Sequence, residues 1–546
     1  MRVLFFLEPF PVRGRPLDYL WVLERWLSVS QGLARLGASP LFAVSDAVKA
    51  ARPELASSLL SPADFAVRPD LPEAPDLLDA EWVRLMTEPD LPVWRPFIEA
   101  LLERTRPDAV VSWTVNAPLR AATAARGIVL MHQELGPMRP PNSMLYFADP
   151  RGVNGDSSLP EVWPTLREQP LTPAQQQEVD CLCTELMASP PGGREETARS
   201  LGLVPGRKVL SVFLQVPRDS NVLAWSRLEG NEELLRLVTA ATSPDSHHVL
   251  VRPHPAHPLL PAQLEASHVR QVQDLPAEAL INVSDAVLTV NSSVGLEALA
   301  RGKVVYTFGD SPYAGRGCTR DLGPDPEQLR QALAGQPFTL TEEEELLRRR
   351  LLHFLVFRYL TPEWEAWSPE AVLGRLERWR RLQERGAPRW EWFAPEPRGA
   401  RLGLLRAEKN VAALTARVGH EQARLAAGQA QAEGLRQQLA ATTEQLGTVR
   451  AESEGLRQQL AATTEQLGTA RTESEGLRQQ LATTTEQLGT ARAETEGLRQ
   501  QLATVAGALE QLQRSVGHRL ISATRRLPGV YTGYLWGKRL LHRSRS

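Results

Sequence analysis

The feature that most narrows what this chain can fold into is a 21-residue unit near its C-terminal end: EGLRQQLAATTEQLGTVRAES from Glu433, EGLRQQLAATTEQLGTARTES from Glu454 and EGLRQQLATTTEQLGTARAET from Glu475. Three heptads make each unit. Leu435, Leu456, Leu477 and Leu498 fall at one seam position, and Leu439, Leu446, Leu460, Leu467, Leu481, Leu488 and Leu502 at the other. The spacing predicts a coiled coil over residues 402–515, about 170 Å long if continuous, serving as spacer or oligomeriser. Glycines such as Gly434 and Gly447 recur inside the repeat. Each costs a helix about 1 kcal/mol relative to Ala, so the coil is expected to be weak alone, and a solvated, partly frayed helix is the competing reading.

The rest of the 546-residue chain is long enough for two folded units. Hydrophobic residues at 42% and charged residues at 23% are the balance of a globular protein. A formal net charge of -2 gives no whole-chain argument for binding nucleic acid. The cysteines are Cys181, Cys183 and Cys318, too few and too close for a structural disulfide, which fits a reducing cytoplasm and gives no metal-ligand set. The opening run Val3–Leu7 has the length of a buried strand and not of a signal peptide, and no apolar segment approaches the roughly 20 residues of a membrane span. The expected location is the cytoplasm, with membrane contact peripheral, at the inner face.

From the start to about residue 195, short β-rich runs alternate with amphipathic stretches: RVLFFL, the helical Tyr19–Leu36, PLFAV near 40, AVVSW at 109 and IVLM at 128. A second series follows with VLSVFLQV from 209, HHVLV from 247, AVLTV from 286 and VVYTF from 304. The pattern predicts two α/β, Rossmann-like domains, 1–195 and 196–338, with parallel sheets. Residues 339–385 read as closing helices, 386–401 as a Pro- and Trp-containing linker, and 516–546 as a basic, aromatic tail. Ligands of open α/β sheets bind outside the C-terminal ends of the strands, so the active site is expected in a cleft shared by the two domains.

Four clusters stand at or after strand ends. HQELGPMRPPNSMLYFADPRGVNGDSSL reads as a loop carrying Glu134, Asp149 and Asp156, with Glu134 directly after the strand. LQVPRDSN brings Gln215, Asp219, Ser220 and Asn221; Asp219 suits a nucleophile or base in the cleft, or equally a helix cap. VRPHPAHP delivers Arg252, His254 and Pro255, where Arg matches phosphate oxygens and His can donate to a phosphate or leaving group. In TVNSSVGLEAL, Asn291, Ser292 and Ser293 lead into a helix with Gly295 and Glu297. Such a helix start offers free N–H groups to an anion, although ordinary capping by a serine explains it as well.

Taken in order, E-L-G, Q-x-x-x-D-S, R-P-H-P, N-S-S-V-G-L-E-A-L and G-D-S-P-Y-x-x-x-G resemble the capsule-polysaccharide biosynthesis proteins that act as β-Kdo transferases. The similarity covers about residues 110–320. It implies a GT-B arrangement, CMP-β-Kdo as donor, retention of configuration, and neither cofactor nor catalytic metal. By the resemblance Asp219 is the nucleophile and Glu134 the acid/base or acceptor-activating group. The donor-binding set is Gln215, Arg252, His254, Pro255, Asn291, Ser292, Ser293, Gly295 and Tyr313, with Asp149, Asn221 and Glu297 in support. The chain departs from the family at Asn221, where a longer or differently shaped polar residue is common, and in showing a single catalytic module.

The expected partners are a nucleotide-sugar donor, a glycan or glycolipid acceptor and further copies of the chain through the coil. The tail beyond Arg514 mixes Arg519, Arg525, Arg526, Lys538, Arg539, Arg543 and Arg545 with Tyr531, Tyr534 and Trp536. That mixture suits an anionic membrane surface, or packing on an acidic face of the same oligomer. Two other functions fit the same sequence: transfer from a different nucleotide sugar, and a non-catalytic scaffold organised by the coil.

Overall fold

A computed structural model describes residues 1–10, 15–69, 75–138, 144–186, 193–254, 257, 266–335, 337–393, 414, 418–419, 421–427, 429, 431–438, 457–515 and 526–527. The chain divides into two compact units, Met1–Leu402 with Leu512–Pro528, and Gly403–Gln511 with Gly529–Ser546.

The first unit holds two sheets. The N-terminal one begins with β1 (Arg2–Leu7), β2 (Ser39–Ala43), β3 (Leu59–Leu60), β4 (Ala109–Trp113), β5 (Val129–Leu135) and β6 (Leu145–Asp149). β1 lies between β2 and β4, and the order runs β3-β2-β1-β4-β5-β6, parallel as far as β5 and antiparallel at β6. The second sheet holds β7 (Lys208–Phe213), β8 (His247–Arg252), β9 (Val269–Gln271), β10 (Ala286–Thr289), β11 (Val304–Thr307) and β12 (Arg320–Asp321). All its pairings are parallel, and its order is β9-β8-β7-β10-β11-β12. Counted from its own first strand this is 3-2-1-4-5-6, the doubly wound order. The central strands read as continuous apolar runs because helices cover both faces: Val3 to Leu7, Ala109 to Val111 and Val249 to Val251 are all buried.

Most runs read as strands in the sequence are strands here, but the segment after β5 is not simply a loop. Glu134 sits inside β5, and Leu145–Asp149 forms β6, which turns back along it. The apolar run Leu-Tyr-Phe-Ala supplies the strand; the surrounding Pro, Gly and Asn masked it.

The helices expected over 339–385 form, at Glu342–Phe354 and Pro369–Glu384. Between them β13 (Thr361–Pro362) adds antiparallel to β6, so the chain returns from the second sheet to the edge of the first. The two residues of β14 (Arg526–Leu527) lie beside β13. Helix Pro369–Glu384 packs on helix Leu20–Arg35, where Gly32 lets the ring of Pro369 approach. Trp367 is part of a packed aromatic cluster with Trp21, Trp113 and Tyr146.

In the second unit Arg457–Ser515 is one continuous helix through Gly468, Gly476, Gly489 and Gly497. Thr469, Thr472, Thr483, Thr484, Thr485 and Thr490 each bond the carbonyl four residues back, which satisfies their hydroxyls without leaving the helix. From 467 to 495 its less exposed positions, 467, 470, 474, 477, 481, 484, 488, 491 and 495, alternate spacings of three and four, with 497 following out of step. Most of 402–456 and all but two residues of the tail lie outside the described residues. Among the described residues no helix is long and apolar enough to cross a membrane.

A Cβ at Gly32 would stand 2.2 Å from Pro369 Cγ. Helix propensity favours Ala over Gly by about 1 kcal/mol, whereas overpacking a rigid contact costs about 1–3 kcal/mol. Gly32→Ala is therefore expected to be neutral to destabilising, and Gly32→Val clearly destabilising by about 2 kcal/mol or more. Urea unfolding of the two variants measures the difference; a stabilised Gly32→Val would refute the close packing.

Candidate functional site

Strand order reverses in the second sheet between β7 and β10, and there Gln215 and Asn291 meet just beyond the two strand ends. Gln215 Nε2 donates to Asn291 Oδ1 (2.9 Å), and Asn291 N donates back to Gln215 Oε1 (3.2 Å). Asn291 Nδ2 donates to Asn221 O (2.8 Å), while the Gln215 backbone exchanges two bonds with the Asn231 side chain (3.1 and 2.7 Å). This knot ties down the short helix Ser220–Trp225. Both predicted amides are buried and engaged with protein, so they shape the opening.

Asp219 is the N-cap of that short helix, its Oδ1 accepting from Asn221 N (2.9 Å). Its carboxylate is half-buried, not carried on the strand end itself. The preceding Arg218 has φ 61° and grips Asp79 of the first lobe with two bonds, 2.5 and 2.8 Å. Beside it, Gly155 accepts the face of Trp225, where a Cβ would be 2.7 Å from the indole. Asp219 therefore stands where the two lobes touch.

The eight-residue helix Ser293–Ala300 starts from Ser292, whose Oγ accepts from Val294 N (3.4 Å). Tyr313 donates its hydroxyl to Ser292 O, and its ring fills the space a Cβ at Gly295 would need. Tyr313 is fully buried, and burial pushes its hydroxyl pKa upward. Predicted as a donor contact, it lies instead beneath the helix start and supports it. Glu297 faces Arg301 one turn on (3.8 Å) and so belongs to the helix body.

On the other side of β7, Arg252 ends β8. Its Nη1 is buried with no hydrogen-bond partner among the described residues, and burial lowers its pKa, opposed by the charge of Glu278. His254 forms an antiparallel bridge with His257 just past the strand; Pro255 lies outside the described residues. Neighbouring strands run about 4.8 Å apart, so Arg252, Gln215 and Asn291 line one edge in sequence β8, β7, β10.

In the first lobe, predicted carboxylates come from β5 and β6. His132 pairs with Asp149 and Glu134 with Phe147, which puts His132, Glu134 and Asp149 on one face. Glu134 is half-buried, its Oε1 accepting from Leu135 N (2.9 Å). Asp149, placed in a loop by the sequence reading, is fully buried and takes Arg151 N, Gly152 N, Ser158 N, Ser158 Oγ and Tyr359 Oη. Its oxygens hold these segments together. Asp156 pairs with Arg120 and Arg151, and burial still raises its pKa.

Three residues here went unremarked in the sequence. His132 is buried, donates Nδ1–H to Thr114 O (2.8 Å), and is held neutral by burial, its pKa lowered to about 4. Arg316 is a buried guanidinium in the loop after β11. Glu8 ends β1, where the order of the first sheet reverses between β1 and β4, and accepts from Asn116 Nδ2 (3.0 Å) and Phe10 N (3.2 Å). A lone Glu after RVLFFL gave no motif; only the strand order marks it.

Residues 199–346 match the family described as capsule polysaccharide biosynthesis protein, so the resemblance carried by the motifs holds over that segment. It includes Gln215, Asp219, Arg252, His254, Asn291 and Tyr313, and excludes Glu134. The lipopolysaccharide-processing protein LpsZ of Rhizobium meliloti is 34% identical over 134 residues, 23% of this chain and 30% of that one. Protein FixF of Sinorhizobium fredii is 39% identical over 100 residues, 18% and 23% of the two chains. The chain thus spans less than a third of the length of either relative. Among solved structures, the beta Kdo 2,7 transferase KpsC of Thermosulfurimonas dismutans is 20% identical, with 49% of this chain and 82% of that chain covered at a TM-score of 0.34, too slight a likeness to bear weight.

Burial pushes the Glu8 carboxyl up to about 7 from 4.5, against the opposing hydrogen bonds of Asn116 and Phe10. The folded chain keeps a proton that the unfolded chain releases, so this contribution to stability is fully present below pH 4.5 and is lost as pH rises through about 7. Glu8→Gln, a mimic of the protonated form, is expected to match wild type near pH 5 and to be the more stable at pH 8. Denaturant midpoints across that range check it; parallel profiles would refute the shift.

Proposed function

We propose that the chain is a glycosyltransferase of bacterial surface polysaccharide synthesis, transferring Kdo from CMP-β-Kdo with retention in a GT-B arrangement of the two lobes. The observation that carries this reading is the edge formed by Arg252, Gln215 and Asn291 beside the start of helix Ser293–Ala300, within the segment that matches the capsule family. A buried guanidinium nitrogen without a partner among the described residues, beside the positive end of a helix, favours a phosphate. The neighbouring amides of Gln215 and Asn291 are already engaged with each other.

In this reading the phosphate of CMP leaves against Arg252 and the helix start, with His254 beside them. Asp219 attacks the anomeric carbon from the opposite side and forms a glycosyl-enzyme bond as CMP departs. Its bond from Asn221 N fixes the direction of the carboxylate. The acceptor hydroxyl then attacks the same carbon, giving its proton to Glu134 and releasing Asp219, and two inversions amount to retention. Stabilisation of the leaving oxyanion by preset donors supplies much of the rate.

The heptad spacing of leucines from Leu435 to Leu502 supports a coiled coil that joins copies of the chain, and the basic tail would hold it near the inner face of the cytoplasmic membrane.

Incubating the full chain with CMP-β-Kdo made in situ is expected to release CMP. Trapping without acceptor should add the mass of one sugar residue. Asp219→Asn should lose the adduct and at least ~1,000-fold in rate, on the order of 4 kcal/mol of barrier, while keeping the cap and the fold. Glu134→Gln should form the adduct and fail to pass it on. Wild-type chain that releases no CMP would overturn the donor; full activity in Asp219→Asn would overturn the nucleophile.

A further inference from the structure

We propose that Arg316 binds the carboxylate of the donor sugar and so restricts the enzyme to acidic, 2-keto sugar donors; this rests on the CMP-β-Kdo reading above. Arg316 lies in the loop between β11 and β12, flanked by Gly315 (φ 69°) and Gly317 (φ 80°). Left-handed backbone on both sides is a conformation glycine takes freely, and at Gly317 a Cβ would also meet Leu347 at 2.6 Å. The loop thus holds its one long cationic side chain inward.

The guanidinium is 9% exposed, and its Nε has no hydrogen-bond partner among the described residues. Nη1 reaches the carbonyl of neighbouring Gly315 (3.3 Å). Asp321 is the carboxylate that acts on it most strongly, but Asp321 already accepts from Thr307 Oγ1, Thr319 Oγ1 and Gly315 N. Nearby Arg348 takes both oxygens of Glu345, while Arg320, whose Nε also lacks a hydrogen bond among the described residues, has Glu344 at 3.8 Å and donates to Tyr306 Oη and Thr339 O. A buried cation left without a matched anion is costly, and burial lowers the Arg316 pKa accordingly.

Its place in the fold gives the ligand. In the same loop, Tyr313 holds Ser292 O at the start of the phosphate-side helix, and Gly309 lies against Trp225 O and Asn291 Nδ2. On its other side Arg316 senses Tyr359, whose hydroxyl donates to Asp149 on the wall that bears Glu134 (2.5 Å). Arg316 is therefore flanked by groups of the phosphate-side helix and of the acceptor-side wall, between which the transferred sugar must lie. A 2-keto sugar acid carries its carboxylate on the anomeric carbon itself, next to the oxygen of the leaving phosphate. The planar fork of Arg suits that carboxylate, and a neutral sugar would leave it unpaired.

The test compares full-length wild type with Arg316→Met and Arg316→Lys, reading CMP release against CMP-β-Kdo concentration, CMP binding by calorimetry, and thermal unfolding. Losing a charge-assisted bond predicts KM for CMP-β-Kdo raised ~10- to 100-fold in Arg316→Met, with the Kd for CMP changed less than threefold. Arg316→Lys keeps the charge without the fork and should fall between; it decides the matter if Arg316→Met does not fold. An unchanged KM in a folded variant, or an equal loss of CMP affinity, would overturn the assignment alone. A wild-type chain inactive on CMP-β-Kdo overturns the donor reading and this assignment with it.

Discussion

The carboxylate of Asp149 ties the end of β6 and the turn after it to a segment 210 residues further along the chain. It is fully buried at the end of β6, and a buried charge is tolerated only when its lone pairs are matched. Here two backbone N–H groups and Ser158 tie down the turn that follows, and Tyr359 brings in the segment returning from the second sheet. That return places β13 against β6 and helix Pro369–Glu384 against Leu20–Arg35. The turn in its grip carries Gly155 to the face of Trp225. One satisfied carboxylate thus sets the edge of the first sheet and part of the contact between lobes.

The two lobes solve the same topological problem with different chemistry. Each sheet reverses its order beside its first strand, and in each a side chain past that strand bonds an Asn from beyond the fourth. In the second lobe the pair is Gln215 with Asn291, two neutral amides whose donors and acceptors cancel. Charge at that opening is left to Arg252, whose Nη1 is buried without a hydrogen-bond partner among the described residues. In the first lobe the pair is Glu8 with Asn116, and Glu134 stands on a neighbouring strand end. One opening is thus lined by neutral amides beside a cation, and the other by carboxylates.

The parallel strands were legible because burial on both faces demands unbroken apolar runs, and RVLFFL or HHVLVR can be little else. β6 was not, since Leu145–Asp149 is short, antiparallel and hemmed by Pro and Gly, and its Asp149 passed for a solvated loop carboxylate. The motif residues Gln215, Asn221, Asn291 and Ser292 do converge, but pattern alone could not separate those that bind from those that position. Gln215 and Asn291 satisfy one another, and Tyr313 supports Ser292 from below; only three-dimensional partners reveal that. Glu8 and Arg316 were silent for the opposite reason. Glu8 stands in no motif and Arg316 at an unspecified position of G-D-S-P-Y-x-x-x-G; what singles them out is strand order in one case and, in the other, a buried Nε with no hydrogen-bond partner among the described residues.

Arg218 shows how lobe contact and chemistry are coupled. A left-handed backbone costs a side-chain-bearing residue on the order of 1 kcal/mol, and at φ 61° Arg218 accepts that cost while forming a forked ion pair with Asp79 across the lobes. An exposed pair would contribute little, but this one is half-buried and geometrically two-pronged. The strained residue immediately precedes Asp219, so the direction of that carboxylate depends on the ion pair holding. Separation of the lobes would release Arg218 to ordinary backbone angles and turn Asp219 with it. The direction of the Asp219 carboxylate is thus coupled to the contact between the lobes.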